Sequence, residues 1–290
     1  MIHRIPRDYY KGTGDSLKAD LHMHSTWSDG SMGIKEIVKT AKKIGLQVIS
    51  ITDHDSMSGQ AKVMECGEKY GIITIPGIEI SSYNPENGKK VHILGYHIQN
   101  QKMVNETLLP YLKERNNATL KALEIIIQAG YPIELDDVTC RVGKGDILYR
   151  QHIMHALMER GYTNSIYGDL YQKLFGKEGI AMVKSPYIPV KEAVELVLEA
   201  GGIPVLAHPF QYDTFELLPN LKGWGIQGVE YKHHTQTKER EAAVLKAAEE
   251  LGLFVTGGSD CHGMYSEKPC PYGGTGYEME KNHPLLQYNR

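Results

Sequence analysis

The sequence predicts an α/β fold whose core is either an α/β barrel or a doubly wound parallel sheet. Short apolar strands alternate with amphipathic helices along most of the 290 residues. The strands are apolar at nearly every position, which is typical of parallel sheets covered on both faces. Two early helical patterns end at a glycine, Gly45 and Gly71, as helices commonly do. A chain of this length can bury one large core.

The first third of the chain supplies four predicted strands and two predicted helices. In order they are strand 18–25, helix 31–45, strand 46–55, helix 58–71, strand 72–81 and strand 90–98. In the first strand, Ala19, Leu21 and Met23 alternate with polar residues. Because alternate side chains of a strand share a face, His22 and His24 can converge on one point if this stretch is extended.

A second region interrupts this rhythm. A long predicted helix at 104–130 is followed by a charged loop and further helix, so we predict a helical insertion at residues 102–186. The alternation then resumes with helix 190–202, strand 203–209, a short helix, strand 226–231, helix 237–252 and strand 253–262. The predicted barrel is therefore formed by residues 1–101 and 187–290, with the insertion as a substrate cap.

Composition limits the classes of partner. The net charge of -3 and the pI near 6.5 predict no long nucleic acid partner, although short nucleotide ligands stay open. Without a leader pattern or a membrane-spanning apolar run, we expect a cytoplasmic protein with no membrane partner. The four cysteines, Cys66, Cys140, Cys261 and Cys270, form no C-x-x-C pair and no disulfide framework.

Side chains of the types that bind metal ions follow the predicted strands or lie within them. They are His22, His24, Asp29, His54, Glu79, His92, His208, Asp260 and His262. Since the carboxyl ends of parallel strands form one face, we expect these nine side chains to gather on one rim. Imidazoles with carboxylates, and no thiolate pattern, favour Zn, Mn or Fe. Nine ligands exceed the need of one ion, so two or three divalent transition-metal ions are expected.

Three polar residues beside the ligands receive other roles. Cys261 lies between two ligands and should point away from the metals on an extended segment, which predicts core packing. Asp53 and Asp55 flank His54, and we expect them to orient imidazoles rather than to bind metal directly.

Six segments together resemble the signature of the PHP family, the polymerase and histidinol phosphatase metal-dependent phosphoesterases. They are "DLHMHSTWSDG", "ITDHD", "GIEIS", "HILGY", "AHP" and "GSDCHG", and the resemblance covers residues 20–98 and 187–263. It implies a distorted seven-stranded α/β barrel with a trinuclear site.

The resemblance also implies how the ligands are shared. One ion would be held by His22, His24, Glu79 and Asp260, and Glu79 would bridge to a second ion held by His92 and His208. The third ion would be held by Asp29, His54 and His262. Glu79, Asp260 and His208 are also assigned to catalysis. Closely spaced cations would activate a bridging hydroxide that attacks phosphorus, without a covalent enzyme intermediate.

Substrate contacts are expected from the insertion and from one barrel loop. Arg150 and His152 lie at the start of a predicted helix, a natural anion site, and related phosphatases use a similar R-x-H segment for substrate phosphate. His155 shares that helix face and is equally well explained by packing. His234 precedes Thr235 as a substrate histidine does in relatives, with His233 as the alternative. Arg141, Lys144 and Lys184 are interpreted as surface charges.

The expected function is hydrolysis of phosphate monoesters in small phosphorylated metabolites. The preferred substrates are nucleoside 3',5'-bisphosphates or short oligoribonucleotides, and the alternative is a cyclic phosphodiesterase acting on a small sugar phosphate. A noncatalytic, regulatory metal-binding module is a third hypothesis, against which the full set of nine ligands argues. A carbon–nitrogen hydrolase is disfavoured because no lysine is placed to bridge two metals. Substrate identity, native metal and oligomeric state stay open at this stage.

Overall fold

The fold was analysed in a computed structural model that describes residues 15–268 and 270–287. Its strands are β1 (Ser16–Asp20), β2 (Val48–Ile49), β3 (Ile73–Thr74), β4 (Gly77–Tyr83), β5 (Lys90–Tyr96), β6 (Ile188–Pro189), β7 (Ile203–Leu206), β8 (Gly228–Lys232), β9 (Phe254–Gly257) and β10 (Glu278–Glu280). Its helices are α1 (Ile34–Lys43), α2 (Gln60–Tyr70), α3 (Gln101–Gln128), α4 (Leu135–Thr139), α5 (Arg150–Glu159), α6 (Asp169–Phe175), α7 (Val190–Glu199), α8 (Leu218–Trp224), α9 (Lys238–Leu251) and α10 (Pro284–Gln287).

The strands form two hydrogen-bonded sheets, which confirms the predicted α/β class. One sheet has the order β10-β1-β2-β3 and the other β6-β4-β5-β7-β8-β9. At the two junctions between them, isolated parallel bridges join Met23 to Cys261 and His54 to Glu79. The ladder is therefore interrupted where the two sheets meet. Both interruptions fall beside predicted metal ligands.

Two strands differ from the expected parallel arrangement: β10 runs antiparallel to β1, and β5 runs antiparallel to β4 and to β7. The connection from β4 to β5 is a short turn in which the Gly88 N–H donates to the Asn84 carbonyl at 2.8 Å. Gly88 has a φ of 71°, which glycine adopts readily. A parallel crossover needs a dozen or more residues, so this short turn forces a hairpin. The reversal brings the first half of β5, with His92, to the rim where the other strands end.

The predicted strand 72–81 is divided in the structure into β3 and β4. Pro76 lies between them and has no backbone N–H to give to a ladder, although its carbonyl accepts from the His97 N–H at 2.9 Å. β3 pairs with β2, whereas β4 pairs with β5 and β6. The break lets one stretch of chain serve both sheets, and it places Glu79 at their junction.

The segment predicted as an insertion contains α3, α4, α5 and α6. The long helix α3 begins three residues before the predicted start at 104, and Asn100 caps it by accepting from the Met103 N–H at 3.1 Å. Buried side chains of this segment form an apolar cluster of their own, joined from the barrel by Tyr265. The division into residues 1–101, 102–186 and 187–290 stays a proposal, and residues 1–14 and 288–290 lie outside the described residues. None of the described helices has the length and apolar character needed to cross a bilayer.

Candidate metal centre

The metal-type side chains predicted from the sequence meet at the rim of the barrel. Their candidate ligand atoms form three groups, and within each group the atoms lie within 4.8 Å of one another. The groups are His22, His24, Glu79 and Asp260; His24, Asp29, His54 and His262; and His54, Glu79 and His92. His208 completes the set, because its Nε2 lies 2.8 Å from Glu79 Oε1.

The extended segment after β1 places the imidazoles of His22 and His24 next to the same two carboxylates. The side chains of Leu21 and Met23 are fully buried on the opposite face, as the alternation predicts. His22 Nε2 and His24 Nε2 lie 3.1 and 3.0 Å from Glu79 Oε2. The same two atoms lie 3.3 and 3.1 Å from Asp260 Oδ1. The geometry therefore brings together the four residues that the family resemblance assigns to the first ion.

Glu79 is the central residue of the rim. While its Oε2 faces the pair from β1, its Oε1 lies 2.7 Å from His92 Nδ1 and 2.8 Å from His208 Nε2. His54 Nδ1 lies 3.4 Å from Oε2. The Glu79 side chain is 1% exposed, so both of its oxygens face this cluster and not solvent. A carboxylate in this position can bridge two cations.

The third group lies towards the helical insertion. Asp29 Oδ1 lies 3.3 Å from His262 Nε2, and Asp29 Oδ2 lies 3.9 Å from His54 Nε2. The His262 ring stacks on that of His24, with centroids 4.0 Å apart. These residues follow three different strands, β1, β2 and β9. The carboxyl ends of those strands thus supply a complete small ligand set.

Three of the six described non-glycine residues with a left-handed backbone lie at this rim. His208 has a φ of 23°, Asp260 a φ of 52° and Asp55 a φ of 56°. Left-handed conformations are uncommon for residues other than glycine and cost free energy. The surrounding contacts hold two of the predicted ligands, and the neighbour of a third, in these conformations.

Burial and mutual charge shift the pKa values of the clustered groups. Burial alone raises the pKa of the Glu79 carboxyl, but the surrounding imidazoles, led by His22, outweigh it and hold the pKa well below its ordinary value. Burial lowers the pKa of His24, yet the carboxylates of Asp260 and Glu79 overcome this and raise it to about 10. For His54 burial dominates and lowers the pKa to about 3. Glu79 is therefore ionised at neutral pH, which is the form that binds a cation.

Several ligand atoms have no hydrogen-bond partner despite being buried. Among the described residues these include His22 Nε2, both ring nitrogens of His24, Asp29 Oδ1 and Asp260 Oδ1. Buried polar atoms almost always have a hydrogen-bond partner. A set of unpaired atoms that point at one place therefore indicates a binding site for a further group. Divalent cations satisfy nitrogen and carboxylate oxygen atoms together. The residues present fit a centre of divalent metal ions.

A buried glutamate that the sequence analysis did not single out contacts two of the predicted ligands. Glu230, on β8, is inaccessible to solvent, and its Oε1 lies 3.2 Å from His22 Nδ1. Its Oε2 accepts from the backbone N–H of His208 at 2.8 Å. Carboxylates that contact the far nitrogen of a metal-binding imidazole fix its orientation and its tautomer. In the sequence, Glu230 is marked only as a single acidic residue inside the apolar strand 226–231. It was missed because the ligands were sought mainly at strand ends.

We expect Glu230→Ala to lower the affinity for divalent metal by about ten- to a hundredfold, because His22 loses its orienting carboxylate. Glu230→Gln keeps an acceptor oxygen and should lie between this variant and the parent. Chelator competition measures the affinity, with the exposed Glu249→Gln as a control that leaves it unchanged. An Ala variant with parental metal affinity would contradict the role of Glu230.

The two aspartates beside His54 bind the loops rather than the imidazoles. Asp53 accepts from the Ser25 N–H at 2.8 Å, and from the Ser25 and Ser28 hydroxyls at 2.7 and 2.6 Å. Asp55 accepts from the Ser81 N–H at 2.7 Å and pairs with Arg115. We expected these aspartates to orient imidazoles rather than to bind metal, but none of these contacts is to an imidazole. They fix the backbone that carries the ligands.

A cavity of about 310 Å³ opens over the metal rim and reaches the insertion. Its wall includes Arg150 and His234, together with Lys90 from β5 and Arg115 from α3. Arg150 donates from Nη2 to the Val183 carbonyl at 2.9 Å, and no carboxylate pairs with it among the described residues. The wall also contains six tyrosines, Tyr149, Tyr167, Tyr171, Tyr187, Tyr212 and Tyr265.

Other predicted contacts lie outside this cavity. His152 is 1% exposed, and its Nδ1 accepts from the Tyr149 N–H at 3.2 Å, so it caps helix α5 instead of facing the cavity. His233 is also buried, with Nε2 3.3 Å from Asp260 Oδ2, whereas its neighbour His234 lines the wall. His155 Nδ1 forms a hydrogen bond of 2.7 Å with the Tyr265 hydroxyl.

Two further residues test the interpretation of side chains outside the site. Arg141 differs from the expected surface charge, because its side chain is 13% exposed and contacts Glu159. Cys261 is buried in an apolar cluster as predicted, and burial raises the pKa of its thiol.

Comparison with known proteins agrees with this geometry. A family model described as PHP domain matches residues 20–182. The chain is 36% identical over 251 residues to a phosphoribosyl 1,2-cyclic phosphate 1,2-diphosphodiesterase from Eggerthella lenta, covering 86% of this chain and 96% of that protein. It is 30% identical over 275 residues to a 5'-3' exoribonuclease from Haemophilus influenzae, covering 93% and 95%.

A solved structure shares the fold over nearly the whole chain. It is a crystal structure from Bifidobacterium adolescentis, described as a metal-dependent phosphoesterase. The TM-score is 0.81 at 26% sequence identity, and the match covers 93% of this chain and 94% of that one.

Proposed function

The chain belongs to the PHP domain family and is a metal-dependent phosphoesterase, and from this premise we propose that it hydrolyses phosphate esters of small ribose compounds carrying two phosphate groups. The observation that carries the proposal is the single cavity shared by the metal rim and by Arg150 and Lys90. One phosphate group would lie on the rim, and the second would lie against these cations. Charge-assisted contacts to phosphate are among the stronger hydrogen bonds.

We propose three divalent ions of Zn, Mn or Fe, held as the ligand groups suggest. His22, His24, Glu79 and Asp260 would hold the first, and His92 and His208 would share Glu79 for the second. Asp29, His54 and His262 would hold the third. Bound there, the ions would lower the pKa of a shared water, orient it towards phosphorus and neutralise charge on the phosphoryl oxygens.

The chain's own groups complete the site. The Glu79 carboxylate keeps two ligand sets at a fixed spacing, while Glu230 orients His22 and the backbone of His208. On the cavity wall, His234 would contact the reacting phosphate, and its Nδ1 is already held 3.2 Å from the Ser259 carbonyl. Preorganised groups of this kind contribute to catalysis because they need no rearrangement during the reaction.

Two substrate types share the required chemistry. The relative from E. lenta favours the cyclic ester of a phosphorylated ribose, which is the alternative raised by the sequence. The relative from H. influenzae favours the preferred sequence hypothesis, a nucleoside 3',5'-bisphosphate or the 5' end of a short RNA. We place the cyclic ester first because the identity to that relative is higher.

Product formation by the metal-loaded protein from a matched panel tests this proposal. It is followed by chromatography of the phosphorylated products together with phosphate release, because opening a cyclic ester leaves the phosphate on the sugar. The panel contains phosphoribosyl 1,2-cyclic phosphate, adenosine 3',5'-bisphosphate, AMP, a 5'-phosphorylated trinucleotide and 4-nitrophenyl phosphate. We expect kcat/KM on a ribose compound with two phosphates to exceed that on AMP by at least about tenfold, because only the former engages both ends of the cavity. Equal kcat/KM on all five compounds would overturn the substrate class.

A further inference from the structure

The helical insertion contacts the loops that carry the third ligand group. On helix α5, Gln151 donates from Nε2 to Asp29 Oδ2 at 3.0 Å and to the Tyr167 hydroxyl at 3.0 Å. Asp29 lies in the loop after β1 and is 5% exposed. The amide therefore fixes one carboxylate oxygen of Asp29 and leaves the other facing His262.

A second contact joins helix α3 to the loop after β2. Arg115 Nη2 lies 2.7 Å from Asp55 Oδ2, and the two side chains are 12% and 3% exposed. Asp55 directly follows His54 and has a left-handed backbone, with a φ of 56°. A buried carboxylate without its partner is strongly unfavourable, so Arg115 stabilises this conformation of the loop. The direction in which His54 points depends on that conformation.

The backbone of the insertion also lies directly on the first loop. A Cβ atom at Gly143 would overlap the carbonyl oxygen of Thr26, and one at Gly145 would overlap that of Trp27. Only glycine permits such an approach of two chains. The Gln151 contact and these backbone contacts thus act on the same segment, from His24 to Asp29.

The other ligand groups are supported from the barrel instead. Glu230 on β8 contacts His22 and the backbone of His208, and His233 contacts Asp260. None of these three contacts involves the insertion. The three ligand groups therefore differ in what holds them.

We propose that Gln151 and Arg115 are positioning residues for the third ion. The affinity for this ion then depends on the helical insertion, whereas the affinity for the first two ions depends on the barrel alone. The inference rests on the proposed function, since it requires three ions. Arg150, the proposed phosphate contact, immediately precedes Gln151 on α5. Substrate binding by the insertion and retention of the third ion are thus carried by adjacent residues of one helix.

Metal retention by the full chain tests this inference without an activity assay. Wild type, Gln151→Leu and Arg115→Met are loaded with Mn²⁺, equilibrated in graded EDTA buffers and analysed for metal per chain. We expect wild type to hold three ions, and each variant to lose one ion at about ten- to a hundredfold lower chelator strength while two remain. Arg115→Lys should restore part of the retention, because an ammonium group can still pair with Asp55. The exposed Lys113→Met on α3 and Gln172→Leu on α6 serve as matched controls and should behave as wild type.

The outcomes separate the two hypotheses. Three ions retained by both variants with wild-type affinity would overturn the inference and leave the proposed function intact. Loss of all ions together would also overturn it, because the insertion would then support the whole centre and not one ion. A wild-type protein that holds two ions or fewer would overturn the three-ion part of the proposed function and the inference with it.

Discussion

Glu79→Ala is expected to lower phosphoesterase activity by at least about a thousandfold, and added metal should not restore it. Both oxygens of this carboxylate lie within 3.1 Å of imidazole nitrogens that belong to two ligand sets. Removing it leaves two ion sites short of a ligand and five imidazoles without their shared negative charge. Metal content should fall together with activity.

The measurement combines kcat/KM with metal analysis on the same preparation. The exposed Glu86→Ala, in the turn between β4 and β5, is the matched control and should keep full activity and metal. A Glu79→Ala protein that retains a tenth of the activity, or the parental number of ions, would contradict the bridging role.

Arg150→Ala is expected to lower kcat/KM by roughly ten to more than a hundredfold on substrates with two phosphates, which corresponds to about 1.5–3 kcal/mol for one charge-assisted contact. The reason is its position, since it lines the same cavity as the metal rim and has no carboxylate partner among the described residues. The effect on 4-nitrophenyl phosphate should be smaller, because that compound offers only the phosphate at the rim.

Kinetics on both substrate types and metal analysis test this prediction together. Metal content should stay at the parental level, and the exposed Lys184→Ala should leave all activities unchanged. A decrease by one common factor on every substrate would contradict a contact with the second phosphate. The arginine would then act on the reacting phosphate or on the fold.

Much of the metal rim could be predicted from the sequence because its ligands have local signatures. The pair His22 and His24 is readable from strand alternation, and Asp260 and His262 repeat the same spacing after β9. Residues that follow parallel strands meet at one edge whatever the connections between those strands are. Local pattern and general topology therefore place most of the predicted ligands together, whereas His92 reaches the rim through the reversed strand β5.

Residues that act through long-range contacts have no such signature. Glu230 lies 208 positions from His22, and Gln151 lies 122 positions from Asp29. Arg115 lies on a helix whose face towards the barrel is set by tertiary packing. Each resembles an ordinary charged or polar residue of its own element, so only the folded structure identifies its partner.

The local role of His152 was hidden from the sequence for a related reason. Its spacing from Arg150 suggested a shared contact with substrate, yet at the start of α5 the imidazole accepts the Tyr149 N–H. A polar side chain in the first turn of a helix can either cap a free backbone N–H group or point away from the helix towards a ligand. The direction of β5 was likewise hidden by its apolar composition, and the short turn at Asn84 and Gly88 was the available signal.

The location of bound metal tests the central claim most directly, namely that the residues gathered around Glu79 form the metal centre of a phosphoesterase. Crystals grown with Mn²⁺ and measured at the manganese absorption edge would show the ions as anomalous peaks. The account predicts three peaks at the rim, the first among His22, His24, Glu79 and Asp260, the second at His92 and His208, and the third at Asp29, His54 and His262. A single peak, or peaks away from these side chains in fully active protein, would contradict it.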